Sequence, residues 1–327
     1  MRVHLLGTAS LALVALLASA GAAAGQGGGA EADPRDKFVG TWKLLGVERH
    51  DADGNLQPPP EPGTFGAGAP LGYIMYDGEH MAVIIQQEGR LPYAGAEPTP
   101  DEALAALTSY TSYFGPYTVN EAEGYVTHHV LGSINPGMTG QDNQRFYEFS
   151  DDRLILQPPP GPSGGRTRII WEKVPDKADL TAEQHRFLGF WAISHVEQRT
   201  LDGDEPVPTD QYAEGYIIYM PSGHMAVHLM REAGRPPYAG ARATGDEAIP
   251  TLASYGGYFG SFIVKRGGYV LHRRTGAVVP ASAGVDAQRF YDFQGDQLIL
   301  MPGGPREVDG VGIRRFIHWD RISNLDH

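Results

Sequence analysis

Two segments set an arginine two residues from a tyrosine, a spacing that could hold an anion: Gln144-Arg145-Phe146-Tyr147-Glu148-Phe149 and Gln288-Arg289-Phe290-Tyr291-Asp292-Phe293. On a strand, side chains alternate between faces. Arg145, Tyr147 and Phe149 therefore share one face, and Gln144, Phe146 and Glu148 the other; Arg289, Tyr291 and Phe293 divide from Gln288, Phe290 and Asp292 in the same way. The acidic member belongs in solvent, so the arginines and tyrosines are expected to face inward. A guanidinium shut inside a protein costs several kcal/mol unless it meets a carboxylate, a hydrogen-bond network or an acidic ligand. The competing expectation is that Arg145 and Arg289 lie near an end and cover a neighbouring tryptophan with their stems.

Histidines recur at matched positions, His80 with His224 and His128 with His272. Imidazole titrates near neutrality, so these are candidate acid–base groups or polar ligand anchors. The plainer alternative is a histidine hydrogen-bonded into a wall. No metal site is expected. His224 and His228 stand four apart, which on a strand is roughly 13 Å, and the adjacent His128 and His129 point to opposite faces. Tyr93 and Tyr238 sit in the repeated octapeptide Gly-Arg-x-Pro-Tyr-Ala-Gly-Ala, whose fidelity suits either a ligand-touching lid or a turn with strict backbone needs. There is no Gly-x-Ser-x-Gly, His-Glu-x-x-His or phosphate-binding glycine loop, and no cysteine, so no thiol or disulfide chemistry is open and no cofactor is expected.

The elements that hold these residues come in two copies. Phe38-Val39-Gly40-Thr41-Trp42 returns as Phe187-Leu188-Gly189-Phe190-Trp191, Tyr73-Ile74-Met75-Tyr76 as Tyr216-Ile217-Ile218-Tyr219, and His80-Met81-Ala82-Val83 as His224-Met225-Ala226-Val227. Tyr113-Phe114-Gly115, Gly124-Tyr125-Val126 and Leu154-Ile155-Leu156 also recur in order, and Trp171 and Trp319 close the two series. A unit of this length is a complete domain rather than a solenoid repeat. The expected organisation is a first domain over 33–174, a linker over 175–180 and a second domain over 181–327.

Most segments are short, aromatic and β-branched, and turn pairs such as Asp53-Gly54 and Asp77-Gly78 separate them. One segment per copy reads as a helix. Thr99-Pro100-Asp101-Glu102 is a capping box, after which Ala103, Leu107, Tyr110 and Phe114 fall at helical spacing. This places Tyr110, Tyr113, Tyr255 and Tyr258 in core packing. In copy two Pro250 predicts a shorter helix. Thr181-Ala182-Glu183-Gln184 predicts a further short helix ahead of the second copy. Strands in sequence with tight turns point to closed up-and-down antiparallel barrels, an all-β class with one short helical segment per copy.

Gly40-x-Trp42 and Gly189-x-Trp191, each opening a first strand, resemble the Gly-x-Trp signature of lipocalins. With the Tyr-Ile-x-Tyr, His-Met-Ala-Val and Arg-Phe-Tyr-x-Phe segments, each copy resembles the bacterial and fungal lipocalin-like domain family over nearly all its length. The resemblance implies a calycin-type barrel around an internal cavity, and fixes no single activity. Arg-x-Tyr on a late strand is similar to the carboxylate-binding pair of intracellular fatty-acid-binding proteins, which are also calycins.

Arg2 and His4 precede an uncharged apolar run from Leu5 to Leu17 and the small-x-small triplet Ala18-Ser19-Ala20, the pattern of a cleaved export signal over 1–24, with a Gly/Ala/Gln leader over 25–32. That run is shorter than the roughly 20 residues that span a bilayer. The net charge of −13 repels phosphate backbones, which argues against nucleic-acid partners. The expectation is an exported periplasmic or secreted protein without stable membrane insertion, whose partner is a small amphiphilic or apolar ligand with a polar or acidic end. Its rivals are a cofactor-free isomerase, cyclase or dehydratase working through His and Tyr, and an interaction module whose barrels are filled by their own side chains.

Overall fold

The computed structural model describes residues 33–58, 70–231, 235–304, 306–308 and 310–325; the expected export signal and leader lie outside them. The first copy forms eight strands that close on themselves: β1 (Gly40–His50), β2 (Pro70–Tyr76), β3 (His80–Gln87), β4 (Tyr110–Asn120), β5 (Tyr125–His129), β6 (Asp142–Ser150), β7 (Arg153–Gln157) and β8 (Arg166–Val174). Each pairs antiparallel with the next, and β8 returns to β1 with Trp42 opposite Lys173. The second copy repeats this with β9 (Gly189–Thr200), β10 (Glu214–Tyr219), β11 (His224–Met230), β12 (Tyr255–Lys265), β13 (Tyr269–Ala277), β14 (Asp286–Gln294), β15 (Gln297–Pro302) and β16 (Val311–Arg321). Closure gives each of these sixteen strands a partner strand on both sides over part of its length.

The helices depart from the sequence reading at their ends. α1 (Pro100–Thr108) starts at the Thr99 capping box but stops before Tyr110, with the Ser109 N–H bonded back to the Ala105 and Leu107 carbonyls. Tyr110 already lies in β4, opposite Gln86, and Phe114 lies opposite Ala82. A spacing of four residues keeps two side chains on one face of a helix and of a strand alike, and the Tyr-Thr-Ser-Tyr-Phe composition favours the strand. α2 (Ala182–His185) has the expected capping box. α3 (Gly245–Ala253) equals α1 in length despite Pro250. Pro250 forfeits one intrahelical bond, whereas the Thr244 and Glu247 cap and the Thr251 hydroxyl bond to the Glu247 carbonyl hold the turns on either side.

One end of each barrel is plugged by aromatic rings. Phe38 is fully buried against Tyr147 and Phe149, with centroids at 5.1 and 5.0 Å, and Phe187 is buried likewise against Tyr291 and Phe293 at 4.9 and 5.0 Å. The indole N–H of Trp42 donates to the Phe38 carbonyl at 2.7 Å, and that of Trp191 to the Phe187 carbonyl at 2.8 Å. The cation over the Trp42 ring is Lys173 at 4.6 Å, and the cation over Trp191 is Arg321 at 3.9 Å. The tryptophan-covering role weighed for Arg145 and Arg289 therefore belongs to the last strand of each barrel.

The barrels pack against each other through the outer faces of β2–β4 and β10–β12. Ile74, Tyr76, Val83 and Tyr113 point into the first barrel, while Met75, Ala82, Ile84 and Phe114 join a second buried cluster with Tyr216, Ala226 and Phe259. These strands are buried on both faces, which is why they read as unbroken apolar runs. The contacts are reciprocal. Tyr73 meets His224 at 4.6 Å and Phe259 at 5.8 Å, and its counterpart Tyr216 meets His80 at 5.8 Å and Phe114 at 4.7 Å. Arg90 donates to the carbonyls of Ala277 and Val278; Arg235, in the second copy of the same octapeptide, donates to those of Ser133 and Ile134. The octapeptide is thus a clamp between barrels, and its fidelity follows from having the same carbonyls to reach on each side.

A fragment of residues 33–174 should accordingly give the circular dichroism of a β-barrel yet self-associate, because it uncovers Met75, Ala82, Ile84, Tyr110 and Phe114. A monomeric fragment at tens of micromolar in analytical ultracentrifugation would contradict this account of the interface.

Candidate functional site

A cavity of about 330 Å³ opens within the first barrel, lined by Ile74, Val83, Ile85, Leu156 and Ile169 together with Arg49, Tyr113, Arg145, Thr167 and Trp171. The aliphatic part of this wall is supplied by the inward faces of β2, β3, β7 and β8. Strand alternation in β6 works as the sequence suggests: Phe146 and Glu148 are exposed and Arg145 is turned inward.

Behind Arg145 runs a buried hydrogen-bond chain. Tyr113 lines the cavity together with Arg145. Its hydroxyl is 3.0 Å from His128 Nδ1, and His128 Nε2 is 2.8 Å from the Tyr76 hydroxyl. His128 is fully buried. The second barrel repeats the chain residue by residue, with Arg289 by Tyr258, Tyr258 2.8 Å from His272 Nδ1, and His272 Nε2 2.8 Å from Tyr219. A neutral imidazole offers one donor and one acceptor. Each histidine therefore accepts a hydrogen bond from one tyrosine and donates one to the other.

Electrostatics keep this chain neutral. Burial, then the Arg145 charge, hold His128 well below the ordinary imidazole range, and burial with Arg289 and Arg274 does the same to His272. Burial pushes the Tyr113 hydroxyl up, against a smaller opposite pull from Arg145. Among the described residues no carboxylate pairs with Arg145; its one direct backbone bond is to the Gln144 carbonyl at 2.8 Å, as Arg289 bonds Gln288 at 2.9 Å. One further buried donor belongs to a residue of the cavity wall. Trp171, only 1% exposed, has an indole N–H without a protein acceptor, and its counterpart Trp319 is in the same position. The site therefore offers two arginine side chains, a hydroxyl and an indole beside an aliphatic surface, a set that suits an acceptor-bearing, partly apolar molecule.

The other sequence candidates go elsewhere. Tyr147 and Tyr291 point inward but at the plugged end, and the Tyr291 hydroxyl donates to Glu183 at 3.0 Å. The tyrosine that lines the cavity with Arg145 is thus Tyr113 on β4 and not Tyr147, so the Arg-x-Tyr pair does not assemble there. His80 is bonded to Asp77 at 3.2 Å and His224 to Ser222 at 3.1 Å, both at hairpin turns on the inter-barrel face. Tyr93 and Tyr238 pack beside that interface in the clamp loops, so they are no lid over the cavity. Tyr113, Tyr76, Tyr258, Tyr219 and Trp171 were the residues sequence reasoning missed. Their recurrence in both copies, Tyr113 with Tyr258, Tyr76 with Tyr219 and Trp171 with Trp319, was the available signal.

Among the described residues no helix is long and apolar enough to cross a membrane. A family profile described as the lipocalin-like domain matches residues 39–174 and again 188–322. No curated protein matches the chain. Among solved structures, a protein of unknown function from the DUF3598 family of Nostoc punctiforme is similar at 11% identity and a TM-score of 0.24, covering 89% of this chain and 100% of that one. A mutant of transferrin binding protein B from Haemophilus parasuis is similar at 6% identity and a TM-score of 0.21, covering 87% of this chain and 77% of that one. Likenesses this distant carry no argument about function.

The neutral buried histidines fix a pH dependence. His128, His272 and the interface residue His228, which burial pushes down to about 3, bind no proton in the fold but do so when unfolded below about pH 6.5. Unfolding then takes up protons, so stability is full above pH 6.5 and falls as pH drops towards the folded values. Each histidine should contribute about 1.4 kcal/mol per pH unit between roughly pH 6 and 4.5, above the carboxylate range. Urea unfolding at pH 7 and pH 5 measures this, and His128→Gln should flatten the slope by about one proton. A stability that stays level from pH 7 to 5 would mean that these rings are not buried neutral.

Proposed function

Because the chain belongs, in both of its halves, to the lipocalin-like domain family, we propose that each barrel binds a small, partly apolar molecule through an acidic or otherwise anionic end. The observation that carries the reading is Arg145 at a partly aliphatic cavity with no carboxylate paired to it among the described residues, in a wall that also holds Trp171, whose indole N–H lacks an acceptor there. A ligand carboxylate would satisfy both groups at once, while its hydrocarbon part would lie along Ile74, Val83, Ile85, Leu156 and Ile169. The Tyr113–His128–Tyr76 chain then serves to hold the Tyr113 hydroxyl in place.

Proton transfer would use the same groups, but their surroundings oppose it. A shuttle needs a group that titrates near the working pH, and here burial drives histidine down and tyrosine up. This favours binding over catalysis. The uncharged Leu5–Leu17 run and the small residues after it support export, so the reading is of a periplasmic or secreted carrier.

An amphiphilic carboxylate such as decanoate should raise the unfolding temperature with concentration and quench tryptophan emission through Trp171. Arg145→Met with Arg289→Met, which keeps the stem and removes the charge, should weaken that binding by about 10- to 100-fold, as loss of a charge-assisted hydrogen bond does. Unchanged affinity in the double variant would defeat the carboxylate-anchor reading and favour barrels that hold no anionic ligand.

A further inference from the structure

We propose that the second barrel carries a binding site for a divalent transition metal ion, zinc above all, formed by His195, Glu197 and His318 on its outer surface. The ligand atoms of the three all lie within 4.8 Å of one another. Strand geometry brings them together. His195 stands directly opposite His318 where β9 pairs with β16, just past a bulge between Ile193 and His195. Glu197 follows two residues on and shares the outer face. The intervening Val196 is buried inward, as is Trp319 beside His318.

The donors are prepared for a metal. His318 is 9% exposed, and its Nδ1 is 3.0 Å from the Gln297 Oε1, which can only accept, so the proton sits on Nδ1 and the lone pair on Nε2. That Nε2 is buried and has no protein partner. A buried imidazole nitrogen without a partner is costly, and a second group fixing the far nitrogen is the habit of metal-binding histidines. Glu197 is fixed in the same manner. Arg199 donates to its Oε2 at 3.3 Å, leaving Oε1 turned to His195 Nε2 at 3.4 Å. The imidazole rings of His195 and His318 stack at 4.1 Å and 13°, and a turn of the half-exposed His195 ring would bring its lone pair towards that of His318. Two imidazoles and one carboxylate suit zinc, with copper and nickel as competitors, and exclude calcium and magnesium as preferred ions.

The first barrel supplies the contrast. At the matching positions Gly46 faces Ile170, and Glu48 faces Arg168, which donates to it at 3.0 Å. In copy two the place of Arg168 is taken by Phe316. The carboxylate is thus released from a cross-strand arginine where the two histidines appear, and the site belongs to one copy only. It spans the first and last strands of the barrel, so a bound ion would staple the seam where the barrel closes.

Titration of the full chain with zinc chloride should show one saturable site per chain by calorimetry, and cobalt(II) should give the visible absorption of a low-symmetry nitrogen–oxygen site. His195→Ala and Glu197→Gln, both at partly exposed positions that leave the fold intact by circular dichroism, should each weaken zinc at least ten-fold. Gln297→Leu should weaken it about 10- to 100-fold through the ring it orients. Glu48→Gln, in the first barrel, should change nothing. Absence of a saturable site, or zinc affinity undiminished in both His195→Ala and Glu197→Gln, would overturn the proposal.

Discussion

A histidine at the centre of a closed barrel has no water to turn to, so both ring nitrogens must be satisfied by the protein. In each copy two tyrosines from neighbouring parts of the wall do this, Tyr76 and Tyr113 around His128 and Tyr219 and Tyr258 around His272. The requirement couples β2, β4 and β5 across the barrel interior, because moving any one of them strands a buried polar group. It also decides the character of the cavity. With the imidazole neutral and its tyrosines committed, the charges at the cavity are those of Arg145 and Arg49, beside an aliphatic surface. A hydrogen-bond network built for stability thereby presents an anion-seeking group to a small apolar space.

The same chain solves a second problem, that of covering three strands per barrel whose outer faces are apolar. It does so by duplication. The outer face of β2–β4 meets the outer face of β10–β12, and equivalent residues exchange roles: Tyr73 for Tyr216, Arg90 for Arg235. The copies have nonetheless diverged where symmetry does not bind them. Ser112 hydrogen-bonds His228 and Tyr255 at 3.0 and 2.8 Å, whereas Tyr110 faces Gly257, and the His195–His318 pair has no parallel in the first barrel. The cavity arginine, its tyrosines and its histidine are kept in both.

How far the sequence revealed this depends on what each pattern had to contend with. Alternation in Arg145–Phe149 was readable because that strand has solvent on one side and the barrel interior on the other. Tyr73–Tyr76 and Met81–Ile85 were strands to the eye, but burial on both faces erased the alternation that would have shown an inter-barrel surface, so His80, His224, Tyr93 and Tyr238 could be mistaken for cavity residues. Tyr110 and Phe114 fitted a helix because a four-residue spacing serves both periods, and that hid Tyr113 from the site. His195 and His318 are remote in the chain and meet only through the register of β9 with β16, which no local motif encodes.

The central claim is that each barrel binds an acid through its arginine, and stoichiometry with a matched neutral molecule tests it most directly. Native mass spectrometry of the intact chain with decanoate and, separately, with decanol compares ligands of equal chain length that differ in charge. The account predicts up to two decanoate adducts per chain and far fewer of the alcohol. Equal loading by both, or no retained decanoate, would contradict it.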